Sequence, residues 1–509
     1  MQILRTKPIE TTIADSHEPG RRLKRTLSSW DLMILGVAVA VGAGIFSVGA
    51  KAAANFAGPA VTVSFAVAAV TCALAIMCYA EFATAIPVAG SAYVFTYATM
   101  GELLAWIIGW NLILELFTAA AVVAKYWGLY LSKVFSLVGV EIPPSIALGP
   151  VELVWGPFLV VSVFTVLLVL GTKLSARVGN VFTLVKIAVV LFVIVVGFFY
   201  VKAENYAPFV PDAVPTGGTG GTEVLKQSLF SFLTGAAPAQ YGLFGVFAGA
   251  ALVFFAFIGF DVVATSAEEV KDPQKTLPRG IFGGLGLVTL LYILVSLALT
   301  GMVPYTTLAA AESPTLTTAF EAVGNADAAK VIAFGSLVGL TTVIMVLLMG
   351  LARVILAMSR DGLLPRALSV TSVKRATPAR LQIVCGVAVA LVAGLTNVDV
   401  LEEMINIGTL SAFVVVSLGI LVLRKKRPDL KPAFRVPGGK AVPVLSALLC
   451  VYLMTNLAVE TWAYFIVWLV LGFAIYFLYG QKHSRLNERF AATREAVEAR
   501  TDTGDSSGN

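Results

Sequence analysis

From residue 31 to residue 480 the chain is a succession of apolar runs of 17 residues or more, separated by more polar connections. The hydrocarbon of a bilayer is about 30 Å thick, and about 20 residues of helix rising 1.5 Å each will cross it. No water is present there to satisfy open backbone groups, so a run of this kind must close its hydrogen bonds within itself as a helix. The runs fall near 31–54, 58–80, 100–132, 151–171, 179–201, 241–268, 281–302, 327–357, 382–398, 405–423, 441–459 and 461–480. They predict an all-α polytopic membrane protein with twelve transmembrane helices and both ends on one side. Composition agrees: 58% of residues are hydrophobic and 13% charged, and the mean hydropathy is +0.88, far above that of a chain with a mixed surface and core.

The basic residues give the orientation, because loops rich in Lys and Arg resist translocation. Alternate connections carry Lys173 and Arg177; Lys271, Lys275 and Arg279; Arg360, Arg366, Lys374, Arg375 and Arg380; then the cluster from Arg424 to Lys440. The opposite side holds few: Lys51, Lys202, Lys226 and Lys330, with Lys133 near a helix end. Both termini are expected in the cytoplasm, with the protein in the cell (plasma) membrane. The net charge of +6 follows from this asymmetry and gives no reason to invoke nucleic acid. The organisation expected is a cytoplasmic segment 1–27, a helical domain 28–480 and a cytoplasmic tail 481–509. That tail begins helix-compatible, ends in the disorder-type sequence "TDTGDSSGN", and is expected to be dispensable for transport. Basic residues precede the first run, which is too long for the apolar part of a signal peptide, so no cleaved signal is expected. The extracellular stretch 202–240, with "PTGGTGG" at 215–221 and "LKQSLFSFL" beyond it, reads as a Gly-rich loop ending in an amphipathic piece.

Two spans are interrupted. The first contains "AVGAGIFSVG" (40–49), although Gly costs about 0.8–1.0 kcal/mol against Ala inside a helix. The sixth contains "FFAFIGFDVVATSAEEV" (254–270), with Gly259 in mid-span followed by the ionisable Asp261 and then Glu268 and Glu269. An offset of five spans is what a five-plus-five inverted repeat requires, with broken helices 1 and 6 meeting near the midplane. Half-helix N-termini there offer free N–H groups to an anion, and exposed carbonyls accept from a cation. A zwitterionic amino acid presents both. The competing account is that the glycines merely let helices pack closely.

These and further segments resemble the amino acid–polyamine–organocation superfamily, and within it the bacterial members of the cationic amino acid transporter family. The resemblance rests on "GAGIF" (42–46), "AEFATAIPVAGSAYVFTY" (80–97), "GWNLILEL" (109–116), "FFAFIGFDVVATSAEEVKDPQKTLPRGI" (254–281), "AMSRDGLLP" (357–365) and "INIGTLSAF" (405–413), in the family's order along most of the chain. The chain departs from the larger animal members in having twelve expected spans where they have fourteen. The resemblance implies carriage of an amino acid by alternating access, its carboxylate on amides around Ala43, Gly44 and Ile45. Its ammonium would meet carbonyls near Val41 and in the stretch of Phe255, Ala256 and Ile258, with Phe260 as an aromatic gate.

Lys186, in "NVFTLVKIAVVLFVIVV", is costly inside a bilayer, about 2.5–3.5 kcal/mol on insertion scales. Removal from water favours the neutral amine, so the group can take up and lose a proton in a cycle. It resembles the lysine that, in proton-coupled members, stands where sodium sits in sodium-coupled relatives; there it would bond carbonyls of the unwound first helix and a hydroxyl of Thr341 or Thr342. Alternatively it snorkels, since it lies only about 13 Å of helix beyond Arg177. Glu115 reads as a proton relay or pocket acid, with a structural polar contact as the alternative. Asp261, Glu268 and Glu269 read as helix-orienting or gating groups, or as a solvated helix end.

A membrane enzyme would need a motif such as HExxH or paired acidic metal ligands, yet His17 and His483 are the only histidines and both lie in the tails. Cys72, Cys78, Cys385 and Cys450 lie in apolar runs without metal or disulfide spacing. No cofactor and no metal are implied. The function expected is secondary active, proton-coupled amino acid symport, with uncoupled exchange as the alternative and a channel as the less fitting class. The partners expected are the amino acid, protons and the lipid bilayer.

Overall fold

A computed structural model describes residues 27–86, 92–143, 145–148, 151–170, 176–215, 222–236, 239–260, 263, 270–370, 378–430, 432 and 434–487. Short turns aside, its helices are α1 (Ser29–Ala40), α2 (Val61–Ala85), α3 (Ala92–Thr99), α4 (Glu102–Leu137), α5 (Trp155–Leu170), α6 (Ala176–Phe198), α7 (Gly242–Val253), α8 (Pro273–Met302), α9 (Leu316–Ala322), α10 (Ala326–Arg360), α11 (Ala379–Leu395), α12 (Val398–Lys426), α13 (Ala441–Thr455) and α14 (Val459–Ile475). Among the described residues seven helical stretches are long and apolar enough to cross a membrane, and five further apolar helices have 10–17 residues. The chain is a mostly helical, polytopic membrane protein.

At the centre lies α4, largely buried along its length, with α10 and α12 packed against it. On one side α8 lies against α1 and α2, and α7 against α2; on the other α11 packs on α5. Lipid tails are as apolar as Leu, so close approach rather than apolar burial holds such helices together. The contact of α4 with α5 illustrates it: a Cβ on Gly156 would come 2.6 Å from the Cα of Gly128.

Several boundaries differ from those expected. The fourth run starts at 151 in the sequence, but Val151–Val154 forms a strand, β2, paired antiparallel with β1 (Ser145–Leu148). The apolar, partly β-branched stretches "SIAL" and "VELV" suit a hairpin, and α5 begins only at Trp155, whose indole donates to the Pro143 carbonyl at 2.7 Å. The helix expected from 281 starts at 273, because proline at the first helical position forfeits no hydrogen bond. Beyond the expected domain end at 480, residues 481–487 pack into the fold with Ser484 and Leu486 buried. The serine hydroxyl donates to Glu102 at 2.5 Å, and the Arg485 amide donates to the Asp361 carbonyl at 3.0 Å. Positions 216–221 of the Gly-rich stretch, and Asp261, Glu268 and Glu269, lie outside the described residues. All four cysteines are free and buried.

Candidate functional site

The first helix starts where its sequence tells it to. Ser28 caps it, its side chain accepting from the Asp31 amide at 3.3 Å while the Asp31 carboxylate accepts from the Ser28 amide at 2.8 Å. It ends at Ala40, and Val41 is extended with φ −72° and ψ 97°. The chain then resumes as a wide π-type turn, Gly44–Val48, that runs into Gly49–Ala52. The Gly42 carbonyl accepts from both Ile45 and Phe46 at 3.3 Å. Ala43 and Gly44 thus supply the opening amides of the resumed helix, which helix geometry leaves without an intrahelical acceptor.

The sixth run breaks in the same manner. After α7 the backbone tightens into a 3-10 turn, Phe254–Phe257, and Ile258 is extended with φ −67° and ψ 140°. Gly259 has φ +106°, a region that side chains with a Cβ rarely adopt. The two breaks lie directly against each other. A Cβ on Gly44 would stand 2.5 Å from the Cα and Cβ of Ala256, one on Gly259 would run into the Val39 side chain, and one on Gly36 would come 2.8 Å from the Phe260 ring. Val41, Ala43, Gly44, Ile45, Phe255, Ala256, Ile258 and Phe260 are all buried around this junction.

Side chains from other helices hold the carbonyls that the breaks expose. In the last turn of α1, the Val37 carbonyl accepts from the Val41 amide at 2.9 Å and the Ala38 carbonyl accepts from Lys186 Nζ at 2.9 Å. The hydroxyl of Tyr292, on α8, lies 2.6 Å from the Ala40 carbonyl and 3.0 Å from the Ala256 carbonyl, so one group bridges both broken helices. Tyr292 is itself fixed between the rings of Phe65 and Phe257, at centroid distances of 5.5 and 5.4 Å. On the sixth run Asn406 of α12 donates to the Leu252 carbonyl at 3.2 Å.

Lys186 does not snorkel. It is 1% exposed, and its stem crosses Gly339 of α10, where a Cβ would lie 3.0 Å from the lysine Cγ. The helix dipole places partial negative charge at the end of α1, where the lysine points. Thr341 accepts from the Trp127 indole at 3.0 Å and donates to the Leu337 carbonyl at 2.8 Å, while Thr342 donates to the Gly339 carbonyl at 3.0 Å. Glu115 is buried on α4, on the stretch that faces Gly408 of α12. Asp261, expected to orient the inner half of the sixth helix, lies outside the described residues. Among the described residues no group of three His, Cys, Asp or Glu is placed to hold a metal ion.

Two ionic networks flank the junction. On the resumed half of the first helix, Lys51 donates to Asp399 and Glu402 of α12, and the buried Glu402 also accepts from Tyr126 of α4 at 2.5 Å. At the other end Arg424 of α12 forms a two-pronged pair with Glu81 of α2, at 2.8 and 2.6 Å, and Glu81 also accepts from the Val436 amide at 2.7 Å. Sequence reasoning missed Tyr292, Asn406, Tyr126 and Glu402. The first three are polar tips inside apolar runs, and Glu402 sits next to a second acid, Glu403, in what reads as a helix end.

A model of the amino acid permease family matches residues 27–484 of the chain. The methylthioribose transporter of Bacillus subtilis (strain 168) is 40% identical over 491 residues, covering 96% of this chain and 99% of that protein. The branched-chain amino acid permease BcaP of the same organism is 42% identical over 494 residues, again with 96% and 99% covered. Cationic amino acid transporter 4 of Mus musculus is 36% identical over 448 residues, covering 86% of this chain and 65% of that protein.

Proposed function

The chain belongs to the amino acid permease family, within the amino acid–polyamine–organocation superfamily, and on that premise we propose that it is a secondary active, proton-coupled amino acid transporter. Members of that family are transporters and not enzymes. The observation that carries the proposal is the junction of the two breaks, where the opening turn of the resumed first helix lies against the broken stretch of the sixth inside the protein.

The substrate carboxylate sits on the amides of Ala43 and Gly44. The Ile45 amide, turned to the Gly42 carbonyl at 3.3 Å, is freed to join them when substrate replaces that long bond. The ammonium group meets carbonyls near Val41 and along Phe255, Ala256 and Ile258. Carbonyl oxygens carry two lone pairs, so the one that Tyr292 holds at Ala256 can still accept. Phe260, beside Gly36, closes the inner side. The side chains around the junction are apolar: Ile45, Phe255, Ile258 and Phe260. That lining and the likeness to the branched-chain amino acid permease favour a neutral, branched side chain over a cationic one.

Lys186 is the coupling group. Charged, it donates to the Ala38 carbonyl and ties α6 to the end of α1; neutral, it loosens that tie and lets the inner half of the first helix swing. Glu115 is the next proton carrier, and Asp261, Thr341 and Thr342 orient the moving segments. The pair of Lys51 with Asp399 and Glu402 is the outer gate, because the outer half of the first helix cannot leave α12 without breaking it. The frame is twelve spans with both termini cytoplasmic, in a five-plus-five inverted repeat. The 42-residue stretch Gly44–Ala85 supports it: as one helix it would measure about 63 Å, twice the hydrocarbon thickness, and Gly58, with φ +58° and ψ −141°, turns the chain within it.

Reconstituted vesicles with an imposed pH gradient test the proposal. Leucine, isoleucine and valine should accumulate when the outside is acidic, without sodium, and an uncoupler should abolish it. Uptake that needs an amino acid on the opposite side and ignores the pH gradient would make the protein an exchanger. Preference for lysine, arginine or methylthioribose would overturn the substrate class.

A further inference from the structure

Among the described residues, Tyr241 is the one residue other than glycine with a positive φ, and it stands immediately before α7. Its φ of 62° and ψ of −161° lie in a region that glycine occupies and that strains any residue with a Cβ. Gly242 follows directly, yet the strained position carries the large side chain. Such strain persists only where the surroundings fix it, and it concentrates at segments that matter to function.

What fixes Tyr241 is the end of the resumed first helix. That helix closes with the turn Ala53–Ala57, and the last carbonyls of a helix have no intrahelical donor. Tyr241 supplies two donors: its amide to the Phe56 carbonyl at 3.0 Å and its hydroxyl to the Ala54 carbonyl at 2.5 Å. Its own carbonyl accepts from the Gly245 amide of α7 at 3.0 Å. The Tyr305 ring meets its ring edge-on, with centroids 5.0 Å apart. One residue therefore ends the first broken helix and starts the sixth. Beyond it the two pieces touch: a Cβ on Gly245 would run into the Phe56 carbonyl oxygen, and one on Gly249 would stand 3.3 Å from the Ala57 Cβ. Ser64, at the start of α2, donates to the Val246 carbonyl of α7 at 2.8 Å.

Resting on the transport reading of the junction, we propose that Tyr241 is a positioning residue that splices the resumed half of the first helix to α7, so that the two pieces travel as one body during transport. The consequence is felt at the junction. Gly44 opens the first piece and Ala256 lies at the end of the second, in contact with it. A splice at the far ends of both pieces keeps that contact in register. Glycine at 241 would relieve the strain but lose the bond to Ala54 and the contact with Tyr305.

A disulfide between the two pieces tests the splice in the full-length protein. Ala57→Cys with Gly249→Cys brings two Cβ atoms to 3.3 Å, close to the about 3.5–4.5 Å of a disulfide, and the four native cysteines are buried. Vesicles holding the oxidised pair should take up leucine as fast as those holding the reduced pair. Uptake that stops on oxidation and returns with reductant would show that the pieces part in the cycle and would overturn the proposal. Tyr241→Phe, which loses one hydrogen bond, should slow uptake per folded molecule about 2- to 10-fold, and oxidising the cysteine pair in that background should restore it. No slowing, or no recovery, would reduce the tyrosine to a local staple. Nitroxide labels on Asn55→Cys and Leu243→Cys decide the matter even if the crosslinked variant fails to fold or no amino acid is carried. One narrow distance, the same at acid and neutral pH and broadened by Tyr241→Phe, is expected. Two distances in the otherwise unmodified protein, or no broadening in Tyr241→Phe, would refute the splice, whereas absent leucine uptake by the unmodified protein would count against the transport reading alone.

Discussion

Gly44 offers a quantitative test of the junction. A Cβ placed there would stand 2.5 Å from the Cα and Cβ of Ala256 and 3.1 Å from its amide nitrogen. Carbon atoms in ordinary contact sit about 3.5–4.0 Å apart, so Gly44→Ala must push the two breaks apart by about 1 Å. The obstacle is backbone on another broken helix and cannot rotate away. Overpacking of this size costs about 1–3 kcal/mol, equivalent to about 5- to 150-fold if it falls on substrate binding. Misplacing reacting or binding groups by about 1 Å has effects of similar size. Equilibrium binding of labelled substrate to purified protein, per folded molecule, should therefore weaken about 10- to 100-fold in Gly44→Ala and vanish in Gly44→Leu. Gly49→Ala is the control: on the same half-helix, its Cβ would meet the edge of the Phe65 ring at 3.1 Å and the Gly44 carbonyl oxygen at an ordinary contact distance of 3.6 Å, and binding should stay within about twofold. If Gly44→Leu binds substrate as the unmodified protein does, the glycine serves helix packing alone and the junction is not the binding site.

Two further outcomes follow from the flanking contacts. Glu402→Gln removes a charge from the buried outer network and leaves Lys51 with the more exposed Asp399, so a cysteine placed at Ser47 should be modified by an external thiol reagent about tenfold faster; an unchanged rate would dismiss the pair as a gate. Deleting residues 488–509 should leave the unfolding midpoint unchanged, whereas deleting from Gln481 should lower it measurably, because the second deletion takes the Ser484 hydroxyl from the buried Glu102; equal midpoints would make the packed strap inconsequential.

Much of the junction was legible because it is made of backbone. Gly42, Gly44 and Gly259 mark where helices open, and their placement in the first and sixth runs shows in the sequence alone. Lys186 was legible because a charge among 20 apolar residues demands a reason. That it does not snorkel showed only once its Nζ was seen on the Ala38 carbonyl. Tyr292 and Asn406 were not legible: each is one polar tip in an apolar run, and its meaning depends on which carbonyl of a distant helix it meets. Lys51 read as an extracellular basic residue because its partners, Asp399 and Glu402, are about 350 positions away. The docking of 481–487 was not legible for a related reason: the start of the tail reads as helix-compatible, but Ser484 fills a need of Glu102 that only the packed chain creates.

Accumulation driven by a pH gradient, compared between the unmodified protein and Lys186→Met, is the most direct test of proton-coupled transport at this junction. Vesicles loaded at neutral pH and diluted into acid should concentrate the amino acid through the unmodified protein. Through Lys186→Met they should only equilibrate or exchange it, since the amine that bonds the Ala38 carbonyl of the first helix is gone. Lys186→Arg should be trapped, because a guanidinium does not release its proton in proteins. Undiminished, uncoupler-sensitive accumulation through Lys186→Met would contradict the account and move the coupling to Glu115.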